Sequence, residues 1–142
     1  MMNGIGRFYG PQKRDYARAL REVKAGRKET HWIWYIFPQI RGLGKSGPSY
    51  DYGIASLDEA KEYLADPVLS ARLLEITEAV LEQDRSPREI FGGLDAMKVR
   101  SCMTLFSAAA ERPEQKAVFD AVLEKCYGGK RCELTMDILS GR

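Results

Sequence analysis

The chain has 142 residues, of which 44% are hydrophobic and 30% are charged. That composition is ordinary for a globular domain, and it excludes an intrinsically disordered chain. The 22 basic and 20 acidic residues are interspersed and leave a net charge of +2, so no basic face points to nucleic acid. We expect one domain, residues 1–142, with no nucleic-acid partner.

The cysteine count and the apolar runs indicate the compartment. Three cysteines are an odd number in a chain long enough to fold without disulfides, which favours a reducing environment. The N-terminus has no apolar signal segment, and no apolar run reaches the ~18–20 residues of a membrane span. One histidine cannot complete a common zinc set with cysteines so spaced. We therefore expect a cytoplasmic protein with no metal, no other cofactor and no membrane partner.

The first predicted helix covers "PQKRDYARALREVKAG". Tyr16, Leu20 and Val23 fall on one stripe of it, as in an amphipathic helix. Gly26 suits the left-handed position just past a helix end. The segment is therefore predicted to be helical until that glycine.

The next stretch, "THWIWYIFPQ", holds both tryptophans and the single histidine. Its aromatic and β-branched residues favour a strand, but no other segment offers a partner for a lone strand. We therefore predict that Thr30 caps a two-turn helix, His31 to Phe37, which ends at Pro38. Because this helix is apolar on all sides, it should lie buried at the centre of the fold.

Residues 38–53, "PQIRGLGKSGPSYDYG", have no helical period and form the longest predicted loop. Within it, "GLGKS" resembles part of a phosphate-binding loop. Gln39, however, stands where the pattern G-x-x-x-x-G-K-[ST] needs its first glycine. A preceding strand and a directly following helix are also missing, so a nucleoside-triphosphatase site is rejected.

Two interpretations of this loop stay open. Its glycines could let backbone amides approach an anion, with basic side chains nearby. The residues concerned are Arg41, Gly42, Gly44, Lys45 and Gly47. Alternatively, the segment is a flexible surface loop, although long loops inside compact domains are often functional.

The rest of the chain predicts helices with recognisable starts. Polar caps, followed by proline or by a glutamate in capping-box spacing, mark three of them. These are Ser56 with Glu59, Asp66 with Pro67, and Ser86 with Pro87 and Glu89. A long helix is expected from Asp95, another over "PEQKAVFDAVLEKCY", and a short one at "ELTMDIL". Together the segments predict an all-α fold, a single multi-helix globular domain with a short buried central helix.

Four stretches resemble one bacterial family of uncharacterised proteins, the domain of unknown function eighteen-ten. They are "GRKETHWIWYIFPQIRGLGKS", "YGIASLDEAKEYLADPVLSARL", "IFGGLDAMKVRSCMTLFSA" and "ELTMDIL", and the resemblance runs from about Tyr16 to Leu139. It implies a mainly helical fold with a short central helix and no established activity. The label calpastatin, sometimes attached to that family, does not fit, because such inhibitors resemble disordered polar ribbons.

The chain departs from the family pattern at three positions. Leu94, Cys102 and Cys132 stand where proline, serine and aspartate are usual. The last of these departures implies a weaker cap on the final helix.

The chemistry-bearing residues indicate where a site would lie. We expect the central segment, the loop and the start of the helix from Asp95 to converge on one pocket. The predicted ligand-binding residues are His31, Trp34, Gln39, Arg41, Gly44, Lys45, Ser46, Tyr52, Asp95, Lys98 and Ser101. His31 is also the candidate catalytic residue, because it is the sole histidine available as a base.

Structural roles are the alternatives for three of these residues. His31 could be a core histidine bonded to the backbone, and Asp95 could be a plain helix cap. Trp34 could be a core side chain with one edge toward a pocket.

Two functions fit this pattern. The first is a site that binds, and could act on, a small polar anionic molecule, nucleotide-like or phosphorylated. The second is a protein-interaction or regulatory module without catalysis, which would expose an apolar patch and enclose no polar pocket. We favour the first, because the unusual residues are polar and glycine-rich.

Overall fold

Helices make up the architecture in the part of the chain that the computed structural model describes, residues 4–44 and 46–141. A 3-10 helix, Gly4–Phe8, leads directly into α1, Tyr9–Lys24. Within the same residues the further helices are α2 Ile33–Ile36, α3 Gly47–Asp51, α4 Leu57–Ala65, α5 Pro67–Leu81, α6 Pro87–Phe91, α7 Gly93–Ala109, α8 Pro113–Tyr127 and α9 Glu133–Leu139. The predicted all-α class is confirmed.

Helix α7 is the axis of the packing. It contacts α4, α6, α8 and α9, and its residues from Ser101 to Ser107 are buried without interruption. An unbroken buried run in a helix means that neighbours cover it on every side. Helices α1 and α8 pack on α5, and the buried apolar side chains form a contiguous cluster that runs from Phe8 to Leu123. All the long helices therefore share this core.

The predicted side-chain caps of α5 and α6 are present. The Asp66 carboxylate accepts hydrogen bonds from the backbone amides of Val68 and Leu69, at 3.0 and 2.9 Å. Ser86 and Glu89 form a complete capping box, in which each side chain accepts from the other residue's amide, at 3.2 and 2.9 Å. These bonds satisfy amides that would otherwise lack partners at the helix ends.

The predicted central helix exists, but it is shorter than expected. Helix α2 has four residues, and Thr30 does not cap it. The Thr30 hydroxyl instead donates to the Glu22 carboxylate at 2.7 Å, and the indole of Trp32 donates to the same carboxylate at 3.0 Å. These bonds hold residues 29–32 outside the helix, so the predicted helix start at His31 is wrong.

The Glu22 carboxylate, on α1, accepts two further bonds. The backbone amides of Glu29 and Thr30 donate to it at 2.8 and 3.0 Å. Burial raises the pKa of this carboxyl group, but the four donors outweigh burial and lower the pKa to about 2. The fold therefore holds Glu22 in its charged form.

The predicted loop, residues 38–53, contains a helix that its pattern does not show. Helix α3 begins after Ser46, whose hydroxyl accepts from the amide of Ser49 at 3.2 Å. None of the α3 side chains is buried, so this helix has no apolar stripe to detect. An isolated parallel bridge between Ile40 and Ile54 then brings the two ends of the segment together.

We expect Glu22→Gln to destabilise the protein by roughly 2–4 kcal/mol. Hydrogen bonds to a charged group contribute about 1.5–3 kcal/mol each, and an amide cannot accept from all four donors. Because the folded pKa is depressed, the contribution of the carboxylate is complete above the unfolded pKa of about 4.3. It is lost as the pH falls toward about 2.

Urea unfolding of both forms between about pH 2 and pH 7 measures this effect. The matched control is Glu78→Gln on the exposed face of α5, which should change stability by less than about 0.5 kcal/mol. A difference between the two variants that stayed constant with pH would contradict the role given to Glu22.

The two tryptophans should differ in their contribution to stability. Trp32 is 0% exposed, whereas Trp34 is only partly buried and packs against the edge of the core. Trp32→Ala should therefore cost roughly 3–5 kcal/mol, and Trp34→Ala clearly less. Chemical denaturation of the two variants compares them directly, and equal losses would place Trp34 in the core as well.

Candidate functional site

A cavity of about 440 Å³ lies between the segment 39–53, one face of α7 and the start of α9. Its volume falls in the range of small-molecule sites. We call it the main cavity. Its apolar side chains are Trp34, Ile40, Leu43, Leu94, Met97 and Leu134, and its polar ones are Gln39, Ser46, Ser49, Tyr52, Lys98, Arg100, Ser101 and Cys132.

The main cavity collects most of the predicted ligand-binding residues. Those that line it are Trp34, Gln39, Gly44, Ser46, Tyr52, Lys98 and Ser101. Arg41 is not among its lining residues, because its guanidinium lies over the Tyr50 ring, 4.7 Å from the centroid, and donates to the Tyr50 carbonyl at 3.2 Å. Lys45 lies outside the described residues.

His31 and Asp95 line a neighbouring cavity of about 480 Å³. This second cavity shares Trp34, Leu94 and Lys98 with the main one, so these three side chains form the boundary between the two. His31 is exposed there, so its interpretation as a buried core histidine is wrong. The candidate catalytic residue thus lies beside the main cavity and not in it.

Asp95 is an ion-pair partner rather than a helix cap. Helix α7 begins two residues before it, and Gly92 occupies the cap position. The Asp95 carboxylate lies 3.0 Å from the Lys28 ammonium, which is 8% exposed, and 3.2 Å from the ammonium of Lys98. Two cations therefore neutralise this carboxylate, and the interpretation of Asp95 as a plain N-cap is wrong.

The two cations of the main cavity differ in their partners. Besides the bond to Asp95, the Lys98 ammonium lies 5.2 Å from the centroid of the Trp34 ring. Arg100 has no carboxylate partner in the described part of the chain, and its buried Nε has no hydrogen-bond acceptor. No aspartate or glutamate is found among the described residues that line the cavity. The wall of the cavity is therefore positively charged, with an unpaired guanidinium.

Cys132 forms part of the buried wall. The Ser101 hydroxyl donates to its sulfur at 3.1 Å, and the Cys132 amide donates to Thr104 at 3.0 Å. Burial raises the pKa of the Cys132 thiol, but the hydrogen bond from Ser101 and the charge of Arg100 act in the opposite direction, and the pKa is lowered. This thiol ionises more readily than a free cysteine.

The far end of the cavity loop is held by an ion pair. Arg7 and Glu59 lie 2.7 Å apart and are both largely buried. Arg7 also donates to the carbonyls of Asp51 and Gly53 at 3.0 and 2.8 Å, and Glu59 accepts from the amide of Ala55 at 3.0 Å. The Glu59 side chain is engaged in these bonds, so only the Ser56 half of the predicted capping box at α4 forms. The loop is thus tied to the start of the chain and to α4.

Two of the loop glycines are needed for close packing. A Cβ on Gly53 would lie 2.8 Å from the Ser49 carbonyl, and one on Gly44 would lie 2.6 Å from the Ser49 hydroxyl. Side chains at these positions would push α3 away from the loop. Close packing therefore explains why glycine occupies these two positions, whether or not the loop binds an anion.

Sequence reasoning does not find Arg100 or Cys132. Arg100 lies beside Ser101 on α7, and a basic residue on a helix carries no distinguishing signal. Cys132 is marked only as a departure from the family pattern, and its hydroxyl neighbours come from distant turns. Their roles depend on the packing of α9 against α7.

The comparisons with known proteins agree with the fold. The chain belongs to the family described as "Protein of unknown function (DUF1810)", which it matches over residues 2–139. It is 43% identical to the conserved hypothetical protein Rv1873 from Mycobacterium tuberculosis, whose crystal structure it matches with a TM-score of 0.91 over 95% of each chain. No curated protein matches the chain.

Two features are absent from the described residues. None of the helices there has the length and apolar character required to cross a bilayer. The same part of the chain holds no group of three or more histidine, cysteine, aspartate or glutamate side chains arranged to bind a metal ion.

Among the three thiols, we expect Cys132 to react fastest with iodoacetamide. The pKa values of Cys102 and Cys126 are raised by burial, whereas that of Cys132 is lowered, and the thiolate is the reacting form. Peptide mass spectrometry after short exposure at about pH 7 measures the three rates separately. Faster labelling of the fully buried Cys102 would contradict the arrangement around Cys132.

Proposed function

We propose that this protein binds a small anionic molecule in the main cavity. The observation that supports this proposal is the charge of the wall, which combines Lys98 and the unpaired Arg100 with no acidic side chain among the described lining residues. A cation that is partly removed from water without a counter-ion favours an anionic ligand.

The apolar part of the cavity wall favours a ligand that is only partly polar. Most of the lining surface is apolar, and Trp34 contributes an aromatic ring to it. A ligand that fills the cavity would therefore carry its charge at one end and an apolar or aromatic body elsewhere. A nucleotide-like metabolite, with a base near Trp34, falls within this class.

Catalysis would require the ligand to extend into the second cavity. His31 lies there with Lys28 and Asp95, beyond the boundary formed by Trp34, Leu94 and Lys98. A bound molecule that passed this boundary would bring a reacting group to His31. The binding proposal does not depend on this step.

A protein-interaction module is the second candidate. Leu94, Met97 and Leu134 are 78%, 57% and 65% exposed, and such apolar side chains on one face are typical of contact surfaces. We favour the small molecule, because the same three side chains also line the main cavity and would be covered in part by a ligand that fills it.

A thermal-shift screen tests the proposal. Mononucleotides, dinucleotides, sugar phosphates and organic acids form the panel, and at least one class should raise Tm, since a ligand that binds only the folded state stabilises it. Arg100→Gln should abolish that rise. It should leave the Tm of the free protein within about 3 °C, because it breaks no ion pair.

The control variants are Arg41→Ala, which removes a cation outside the main cavity, and Arg112→Gln, which changes an exposed residue at the start of α8. Both should keep the ligand-induced rise. A rise that survives Arg100→Gln would place the site elsewhere, and the absence of a rise with every anion would contradict the proposal.

A further inference from the structure

The chemistry of the main cavity distinguishes between anions. Lys98 shares the Asp95 carboxylate with Lys28 and lies beside the Trp34 ring, so its charge is compensated only in part. Among the described lining residues, Arg100 is the cation without a carboxylate partner, and its buried Nε has no hydrogen-bond acceptor. One guanidinium matches one carboxylate, which it can bind through two parallel hydrogen bonds.

A phosphate monoester would find fewer matching charges and free hydrogen-bond donors in this cavity than a carboxylate. It carries between one and two negative charges near neutral pH and presents three acceptor oxygens. The hydroxyl of Ser101 donates to the Cys132 sulfur, and the Ser49 hydroxyl donates to the Ser46 carbonyl at 3.1 Å. The polar groups of the wall are thus partly engaged with one another, which favours the smaller charge.

The apolar part of the cavity continues onto the surface. Leu94 and Met97 on α7 and Leu134 on α9 line the cavity and are more than half exposed, so they form its mouth. Ser101 and Cys132, in contrast, are 5% and 9% exposed and form its floor. An apolar chain that begins beside Arg100 can therefore follow α7 outward to the mouth and cover side chains that now face water.

We propose that the ligand is a monocarboxylic acid with an extended apolar body, whose carboxylate pairs with Arg100 and whose chain reaches the mouth at Leu94, Met97 and Leu134. This inference rests on the binding function proposed above and names its ligand class. Fatty acids of about six to ten carbons are its simplest representatives, and they carry the one charge and the long apolar surface that the cavity offers.

Cys132 gives a readout that is local to the cavity. A ligand that occupies the floor should slow the alkylation of this thiol by iodoacetamide, and peptide mass spectrometry follows it separately from Cys102 and Cys126. Protection is measured against concentration for butanoate, hexanoate, octanoate and decanoate. Each added methylene should tighten binding by about fourfold, the factor that corresponds to ~0.8 kcal/mol per buried CH₂.

Three comparison compounds separate charge from chain length. Decan-1-ol keeps the chain without the charge, AMP replaces the carboxylate by a phosphate, and acetate keeps the charge without the chain. Decanoate should protect at concentrations about tenfold or more below those needed for decan-1-ol, since a hydrogen-bonded charge pair contributes at least that factor. AMP and acetate should protect weakly.

Two variants test separately which residues contact the carboxylate and which contact the apolar chain. Arg100→Gln should reduce the protection by decanoate to the level of decan-1-ol, whereas the control Arg112→Gln should keep it unchanged. Leu94→Ser, at the most exposed position of the mouth, should lower the gain per methylene without changing the advantage of decanoate over the alcohol. Because this residue is exposed, its change should not affect folding.

The outcomes separate this inference from the proposal on which it rests. If AMP protects Cys132 and no fatty acid does, the anion site stands and the carboxylate inference is overturned. If decan-1-ol protects as well as decanoate, and Arg100→Gln has no effect, recognition of charge is overturned in both. If no compound in either class protects the thiol or raises Tm, both proposals fail.

Discussion

The Glu22 carboxylate is the interaction on which the rest of the structure depends. It lies on α1 and accepts hydrogen bonds from the backbone and side chains of Glu29, Thr30 and Trp32, which follow on the next stretch of chain. A charge at this depth is tolerated only when its acceptor oxygens are satisfied, and all four donors come from one short segment. The charge therefore dictates the path of that segment, and with it the place where α2 can begin.

The same constraint positions the cavity wall. Trp32 points inward to the carboxylate, and Phe91 and Phe37 pack around its ring. Trp34, two residues further, lies on the other side of the chain and lines both cavities. The Arg7–Glu59 pair has the corresponding role at the far end of the loop, where Arg7 binds the carbonyls of Asp51, the last residue of α3, and of Gly53. The buried Glu22 carboxylate and the partly buried Glu59 carboxylate thus fix the two ends of the segment that forms one side of the site.

The sequence predicts the helices well where capping chemistry is local, and less well where distant groups compete. Asp66 and Ser86 cap their helices because their partners lie within three residues. Thr30 could cap a helix in the same way, but its hydroxyl donates to Glu22 instead. No local sequence pattern predicts that this distant carboxylate takes the place of the cap. On α1 the inward face includes Gln12, Asp15 and Glu22, which an apolar-stripe criterion assigns to solvent. Partners from other parts of the chain satisfy Gln12 and Glu22, whereas Asp15 is paired with Arg14 and Arg18 of its own helix and with the Tyr35 hydroxyl.

In the candidate site, too, local sequence does not show which partner a side chain finds in the folded structure. Lys98 and Arg100 are both basic and lie two positions apart on α7, but the sequence pattern indicates only Lys98 as a ligand-binding residue. Two positions on a helix face different directions, and only Lys98 reaches Asp95, which is also bonded to Lys28. That shared carboxylate compensates one of the two ammonium charges beside the second cavity, whereas Arg100 has no carboxylate partner among the described residues. The place of the unpaired guanidinium, on which the proposed anion site rests, is therefore a property of the packed structure rather than of the composition of the helix.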